Sequence, residues 1–199
     1  MKAFREAAWL SCLLFLAGCS SWGKEEIPWY LGIAAPEHYD MWVINLHVEK
    51  SGERSWRIPV GHKGCCWQGD FGPFGTGGSL EPFPNLIALH WFSFAEQKYY
   101  STLIRVPPGL QDRMRVPVRT TSPNGMVRDL PRSTLVLGLA PGGEVVVWIM
   151  SQRTNAVEVM RVPAVEVEGN LDAFRVRTEQ YLEKHGAYLE AHGVPLAGW

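Results

Sequence analysis

The 199-residue chain has no apolar run long enough to cross a bilayer as a helix, which takes about 20 residues. It has no excess of either charge. Nineteen Lys and Arg stand against 20 Asp and Glu, a formal net charge of −1. That balance argues against a nucleic-acid binder, whose footprint is a basic excess. Cysteine is scarce: Cys12, Cys19, Cys65 and Cys66 are the only four. Adjacent cysteines do not staple distant segments, so no disulfide framework organises the fold. Also missing are a Gly-x-Ser-x-Gly elbow, a His-Glu-x-x-His zinc helix, a P-loop and a dinucleotide fingerprint. These absences lower the odds of an enzyme without excluding one, because catalytic groups assemble from distant positions.

The single long apolar run has a specific setting. Lys2 and Arg5 precede Ala7–Ala17, which closes on Leu16-Ala17-Gly18-Cys19. Eleven residues, all apolar but Ser11, suit the core of a signal peptide and are too few to span about 30 Å of hydrocarbon. The closing residues resemble a bacterial lipobox. A lipoprotein signal peptide is therefore expected over 1–18, and a tether over 19–28 carries acyl chains on Cys19. Each buried methylene of those chains contributes about 0.8 kcal/mol, enough together to hold the protein to a membrane. Ser20 and Ser21 follow Cys19, with no Asp to retain it at the inner membrane. The expected location is the inner leaflet of the outer membrane, facing the periplasm.

What is abundant is aromatic: 9 Trp, 6 Tyr and 8 Phe. They fall in segments that read as strands. In 40–49 the residues Trp42, Ile44, Leu46 and Val48 are expected on one face with Asn45, His47 and Glu49 on the other, and a Ser51-Gly52-Glu53 turn leads into 55–60. The segments 85–94 and 98–106 form another apolar pair. The runs 134–140 and 144–150 flank Pro141-Gly142-Gly143, a hairpin whose strands are nearly all apolar and belong in the middle of a sheet. Asn155–Val162 adds a strand, and Asn170 caps a C-terminal helix. The fold expected over 29–199 is mainly β, an antiparallel sandwich-like single domain ending in an α-helix.

Several clusters invite chemistry. Cys65 and Cys66 are either buried free thiols or a vicinal or intermolecular disulfide. A metal shared with His62 lacks a fourth ligand. The loop after them is rich in glycine and carries Trp67, Phe71 and Phe74, which either form a candidate partner-binding surface or close the end of the sandwich core. Glu37, His38 and Asp40 read as a solvated turn. His185 and His192, in a near-repeated Tyr-Leu-Glu-x-His-Gly, read as helix-terminal residues suited to the helix dipole. The basic segment with Arg113, Arg115 and Arg119 reads as a solvated face. No metal, catalytic residue or cofactor is assigned.

Taken in order, Trp29–Pro36 with Trp42-Val43, Cys65-Cys66-Trp67, Leu89–Ser93 with Tyr99-Tyr100, Gly138–Gly143 with Val147-Trp148, and the tail His192–Pro195 resemble bacterial lipoproteins of the domain-of-unknown-function 2931 family. The duplicated Tyr-Leu-Glu-x-His-Gly departs from the family's single copy. The resemblance implies an envelope lipoprotein without known catalytic residues. It also implies, for some members, an immunity role against type VI secretion phospholipase effectors. A structural or assembly lipoprotein and a periplasmic hydrolase are the alternatives.

Overall fold

The hairpin of apolar strands sets the centre of the first sheet. In the computed structural model, which describes residues 27–67, 76–122 and 124–199, strands β11 (Thr134–Ala140) and β12 (Glu144–Met150) pair antiparallel around the Pro141–Gly143 turn. Both are buried on both faces. Leu135, Leu137, Leu139, Val145, Val147 and Ile149 enter one core cluster, and Val136, Ala140, Val146, Trp148 and Met150 enter another. A fully buried aliphatic side chain contributes about 1.5–3 kcal/mol, so a hairpin buried on both sides is a natural nucleus for a sheet. Gly138 is required here, because a Cβ would lie 2.5 Å from the Trp148 ring and 2.9 Å from Trp67.

The remaining strands of this sheet are β1 (Tyr30–Pro36), β5 (Cys66–Trp67), β6 (Thr76–Ser79) and β13 (Val157–Pro163). They give the order β13–β12–β11–β1–β5, with β6 also pairing with β1. The fold is mainly β and mostly antiparallel, as expected, but β1 runs parallel to both β11 and β5. Parallel neighbours need a long crossover. Here it consists of everything between residues 37 and 133, including most of the second sheet.

That second sheet has the order β14–β8–β7–β2–β3. Its strands are β2 (Met41–Lys50), β3 (Arg54–Arg57), β7 (Leu86–Ser93), β8 (Lys98–Arg105) and β14 (Val165–Val167), with β4 (Gly61–Lys63) also on β2. Its inner face shares one core with the first sheet: Met41, Val43, Leu46, Val48, Leu89 and Trp91 pack with Leu31, Ile33 and Leu137. The strict alternation expected along β2 is broken. The register against β7 shifts between Val43 and Asn45, and a bulge of this kind reverses which side chains face inward. Met41 and Val43 therefore point to the core, and Trp42 and Ile44 turn to the outer face.

The outer face is where the C-terminal helix lies. Asn170 caps as expected, its Oδ1 accepting from the Asp172 N–H at 3.0 Å, but it starts a short 3₁₀ turn, Leu171–Phe174. The long helix α2 (Arg175–His192) follows. Phe174, Thr178, Tyr181 and His185 recur at steps of four, three and four and are its buried stripe. Phe174 stacks on Phe92 at 4.6 Å, and the cluster is completed by Phe94, Tyr99 and Tyr181, with Trp42 and Ile44 against it.

A smaller ribbon stands apart from both sheets: β9 (Val118–Thr121) paired with β10 (Val127–Leu130). It follows a short helix, α1 (Leu110–Arg115), in the basic segment read from the sequence as a solvated face. The predicted signal peptide, Cys19, Phe71 and Phe74 lie outside the described residues.

Candidate functional site

The strands run between two ends of the molecule, and each end carries a feature. β1 starts at Tyr30, where the chain enters the fold, and reaches Pro36 after about 20 Å at roughly 3.3 Å per residue. The turn from β1 to β2 places His38, Tyr39 and Asp40 at the far end, under α2.

Asp40 is the centre of that end. Its carboxylate is buried, and Oδ2 accepts a hydrogen bond from Nε2 of His62, on β4, at 2.8 Å. The other oxygen, Oδ1, faces Nε2 of His185 at 3.8 Å, and neither atom has another partner. On the opposite side of the His185 ring, Nδ1 meets Nδ1 of His38 at 3.3 Å. One placement of protons fits this geometry, in which the His62 and His38 contacts are of hydrogen-bond length and the His185–Asp40 approach is longer than a hydrogen bond. His185 carries its proton on Nε2, toward the carboxylate, and His38 donates from Nδ1 into the free Nδ1 of His185. The chain His38–His185–Asp40–His62 is thus a directed row of donors ending on one carboxylate.

The backbone is shaped to fit. His38 adopts φ 71°, a left-handed conformation, and the Tyr181 hydroxyl donates to its carbonyl at 2.7 Å. The Tyr39 hydroxyl donates to the Gly193 carbonyl at 3.1 Å, which fixes the end of α2. Gly64 lets the chain pass the carboxylate, since a Cβ there would lie 2.9 Å from both Asp40 oxygens. Outside this buried row lies a stack of rings: His38 on Tyr188 at 3.8 Å, and Tyr188 on His192 at 4.1 Å.

Burial governs the electrostatics. Desolvation lowers the pKa of His185, against a smaller upward pull from Asp40. Tyr181 is pushed well above the usual phenol range, first by burial and then by Asp40. Burial and the neighbouring Tyr188 also raise Tyr39. Among the described residues no three His, Cys, Asp or Glu side chains form a group able to hold a metal. In this cluster the ring nitrogens and carboxylate oxygens face one another rather than a common point. Its chemical capacity is that of an oriented imidazole: His62 is half-exposed, with its tautomer fixed by a buried carboxylate.

At the entry end, a cleft of about 870 Å³ lies between Trp29, Lys50, Glu53, Phe83 and Arg115, with aromatic floor and charged rim. Its size is that of a small-molecule site.

Of the residues singled out in the sequence, Trp67 is not a loop residue displayed to solvent. It is a buried side chain of β5, edge-on to Trp148 at 4.8 Å and beside Trp199. Cys65 is exposed and disulfide-bonded, so the reading as a buried free thiol does not hold for it. His185 does not end a helix: α2 continues through Gly186 to His192, and His185 is buried against Asp40. The turn of Glu37, His38 and Asp40 is not simply solvated, because Asp40 is one of the few buried polar residues. The grouping of His38, Asp40, His62 and His185 escaped the sequence reading. Its one sequence signal was the pair of Tyr-Leu-Glu-x-His-Gly segments, whose first copy supplies Tyr181 and His185.

No curated protein and no solved structure matches the chain. Residues 20–197 match a family described as a protein of unknown function, DUF2931, and the chain belongs to that family.

Proposed function

We propose that this protein is a non-enzymatic envelope lipoprotein, anchored through acyl chains on Cys19 in the inner leaflet of the outer membrane, that acts by binding a protein partner. We further propose that the partner is a phospholipase effector of type VI secretion, which the protein neutralises in the periplasm. The observation that carries the binding reading is the stack of His38, Tyr188 and His192 at the end away from chain entry. His38 and Tyr188 are half-buried and His192 is exposed, so the rings present surface while being held by the buried Asp40–His185 row. Rings fixed before contact have little rotamer freedom left to lose, and aromatic anchors of this kind dominate interface energies. An anchor at the entry end directs this surface into the periplasm.

The test is co-expression with a periplasm-directed phospholipase effector encoded beside the gene. Protection is expected, and cells dying equally fast with and without the protein end the immunity reading for that pair. For the anchor, Cys19→Ala is expected to abolish acyl labelling, and continued labelling refutes it.

A hydrolytic reading is favoured by one observation, the half-exposed His62 oriented by buried Asp40. Turnover of a lipid or peptidoglycan substrate that is lost in His62→Gln would establish it in place of the binding reading.

A further inference from the structure

The ribbon β9–β10 and helix α1 have a composition unlike the rest of the chain. Residues 105–132 contain six arginines and two aspartates, with no Lys or Glu, a net charge of +4 within a chain of net −1. Arg115 is committed to Asp112 and to the face of Trp29, and Arg132 donates to the Asn155 carbonyl. Arg113, Arg119 and Arg128 are exposed and form no ion pair among the described residues. Between these cations the same segment exposes Val116 (58%), Met126 (45%), Val127 (46%) and Leu130 (39%). Every residue of β10 is exposed.

A two-stranded ribbon is marginal by itself. Among the described residues this one is fastened through its inner strand: the Thr121 N–H donates to Gln152 Oε1, and Asn155 Nδ2 donates to the Arg119 carbonyl. The outer strand is held out, and the side-chain hydrogen bond that Arg128 makes, from Nε to Met126 Sδ, stays within the ribbon. Its root lies at the entry end. Arg115 sits over Trp29, the Tyr30 N–H donates to the Ser133 carbonyl, and the Arg132 N–H donates to the Met114 carbonyl.

We infer that this ribbon, with α1, docks on a bilayer surface containing anionic phospholipid. Arginines beside exposed aliphatic side chains match such a surface, where cations meet lipid phosphates and the apolar groups enter the headgroup boundary. The inference rests on the anchor reading. Cys19 precedes Ile27 by eight residues, which span at most about 29 Å fully extended. An acylated Cys19 therefore keeps the membrane within reach of the end from which the ribbon projects. A second point of contact converts a flexible tether into a defined orientation.

The experiment uses the full chain produced in a bacterial envelope, with a photocrosslinking phenylalanine in place of Val127 or, as control, of Leu182 on α2. The purified protein is reconstituted into vesicles of phosphatidylcholine alone or mixed with phosphatidylglycerol. Lipid adducts at position 127 are expected to be about tenfold more frequent in the anionic vesicles than in the neutral ones, and to exceed those at position 182. Arg113→Glu with Arg128→Glu should reduce them to the neutral level, whereas Arg128→Lys should retain them. Equal adducts at 127 and 182, or equal adducts in the two vesicle types, overturn the proposal. So does crosslinking in intact cells that captures a protein rather than lipid at position 127. Intact mass of the same sample reads acylation separately. If acyl chains are absent the anchor reading fails, and vesicles added to the unacylated chain still decide whether the ribbon binds them.

Discussion

Oδ1 of Asp40 and Nε2 of His185 face each other at 3.8 Å, both buried and both without any other partner. The two residues are 145 positions apart, one in the turn into β2 and the other in the middle of α2. Among the described residues each is the nearest opposite-polarity group to the other, at a distance longer than a hydrogen bond. This contact, with the hydrogen bond of Tyr181 to His38, ties the helix to the sheet.

The protonation of His185 gives a first prediction. Burial lowers its pKa below 6.5, so the unfolded chain binds a proton more readily than the folded one. Stability from this group is then complete above pH 6.5 and is lost as pH falls through the lowered value. The slope from one such histidine reaches at most about 1.4 kcal/mol per pH unit. Urea unfolding across this range should show stability falling toward acid, and His185→Gln should flatten the fall. Some slope should persist, because burial also lowers His90. An unchanged pH dependence in the variant contradicts the assignment.

A second prediction concerns Gly64. Its backbone is not in the left-handed region, so the requirement is one of space: a Cβ would meet both side-chain carboxylate oxygens of the buried Asp40 at 2.9 Å. Gly64→Ala should cost about 1–3 kcal/mol through overpacking. Asp40→Ala should cost a similar amount by removing the buried acceptor of the His62 hydrogen bond. In the double variant the clash is gone, so the loss should be clearly less than additive. Additive losses, measured by chemical unfolding, would separate the two residues.

Strand pairing between neighbours was legible in the sequence because the apolar pattern and the turn chemistry agreed. The two runs around Pro141-Gly142-Gly143 are the clearest case, since continuous apolar residues signal burial on both faces. The bulge near Ile44 was not legible, because one inserted residue shifts the alternation without changing the composition. The parallel pairing of β1 with β11 was hidden for a different reason: no local turn joins strands separated by about a hundred residues. The candidate site failed in the same way. His38 and Asp40 were visible as a polar turn, but their burial depends on a helix that returns from the far end of the chain.

Trp67 illustrates how a glycine-rich context misleads, and it yields a third prediction. Its indole fills the space over Gly138 and meets Trp148 edge-on, so it belongs to the outer core of the first sheet. Trp67→Ala should therefore destabilise the fold by about 3–5 kcal/mol. Trp67→Phe, which keeps an aromatic edge against Trp148, should recover part of that loss. A stable Trp67→Ala protein would return this residue to the list of exposed binding anchors.

The last prediction separates the helix from the sheets. Phe174 stacks on Phe92 at 4.6 Å with rings 7° from parallel, and it also meets Phe94 edge-on. Phe174→Ala should cost about 3–5 kcal/mol. Tyr181→Phe removes only the hydroxyl bonded to the His38 carbonyl and should cost about 0.5–1.5 kcal/mol. Hydrogen exchange distinguishes the two effects. In Phe174→Ala, amides of 175–192 should exchange faster while those of β11 and β12 stay protected, because the helix packs on the outer face of the other sheet and shares no core with that hairpin. In Tyr181→Phe the acceleration should be smaller and concentrated beside the turn that carries His38. Equal loss of protection in the hairpin would mean that the helix and both sheets unfold as one unit.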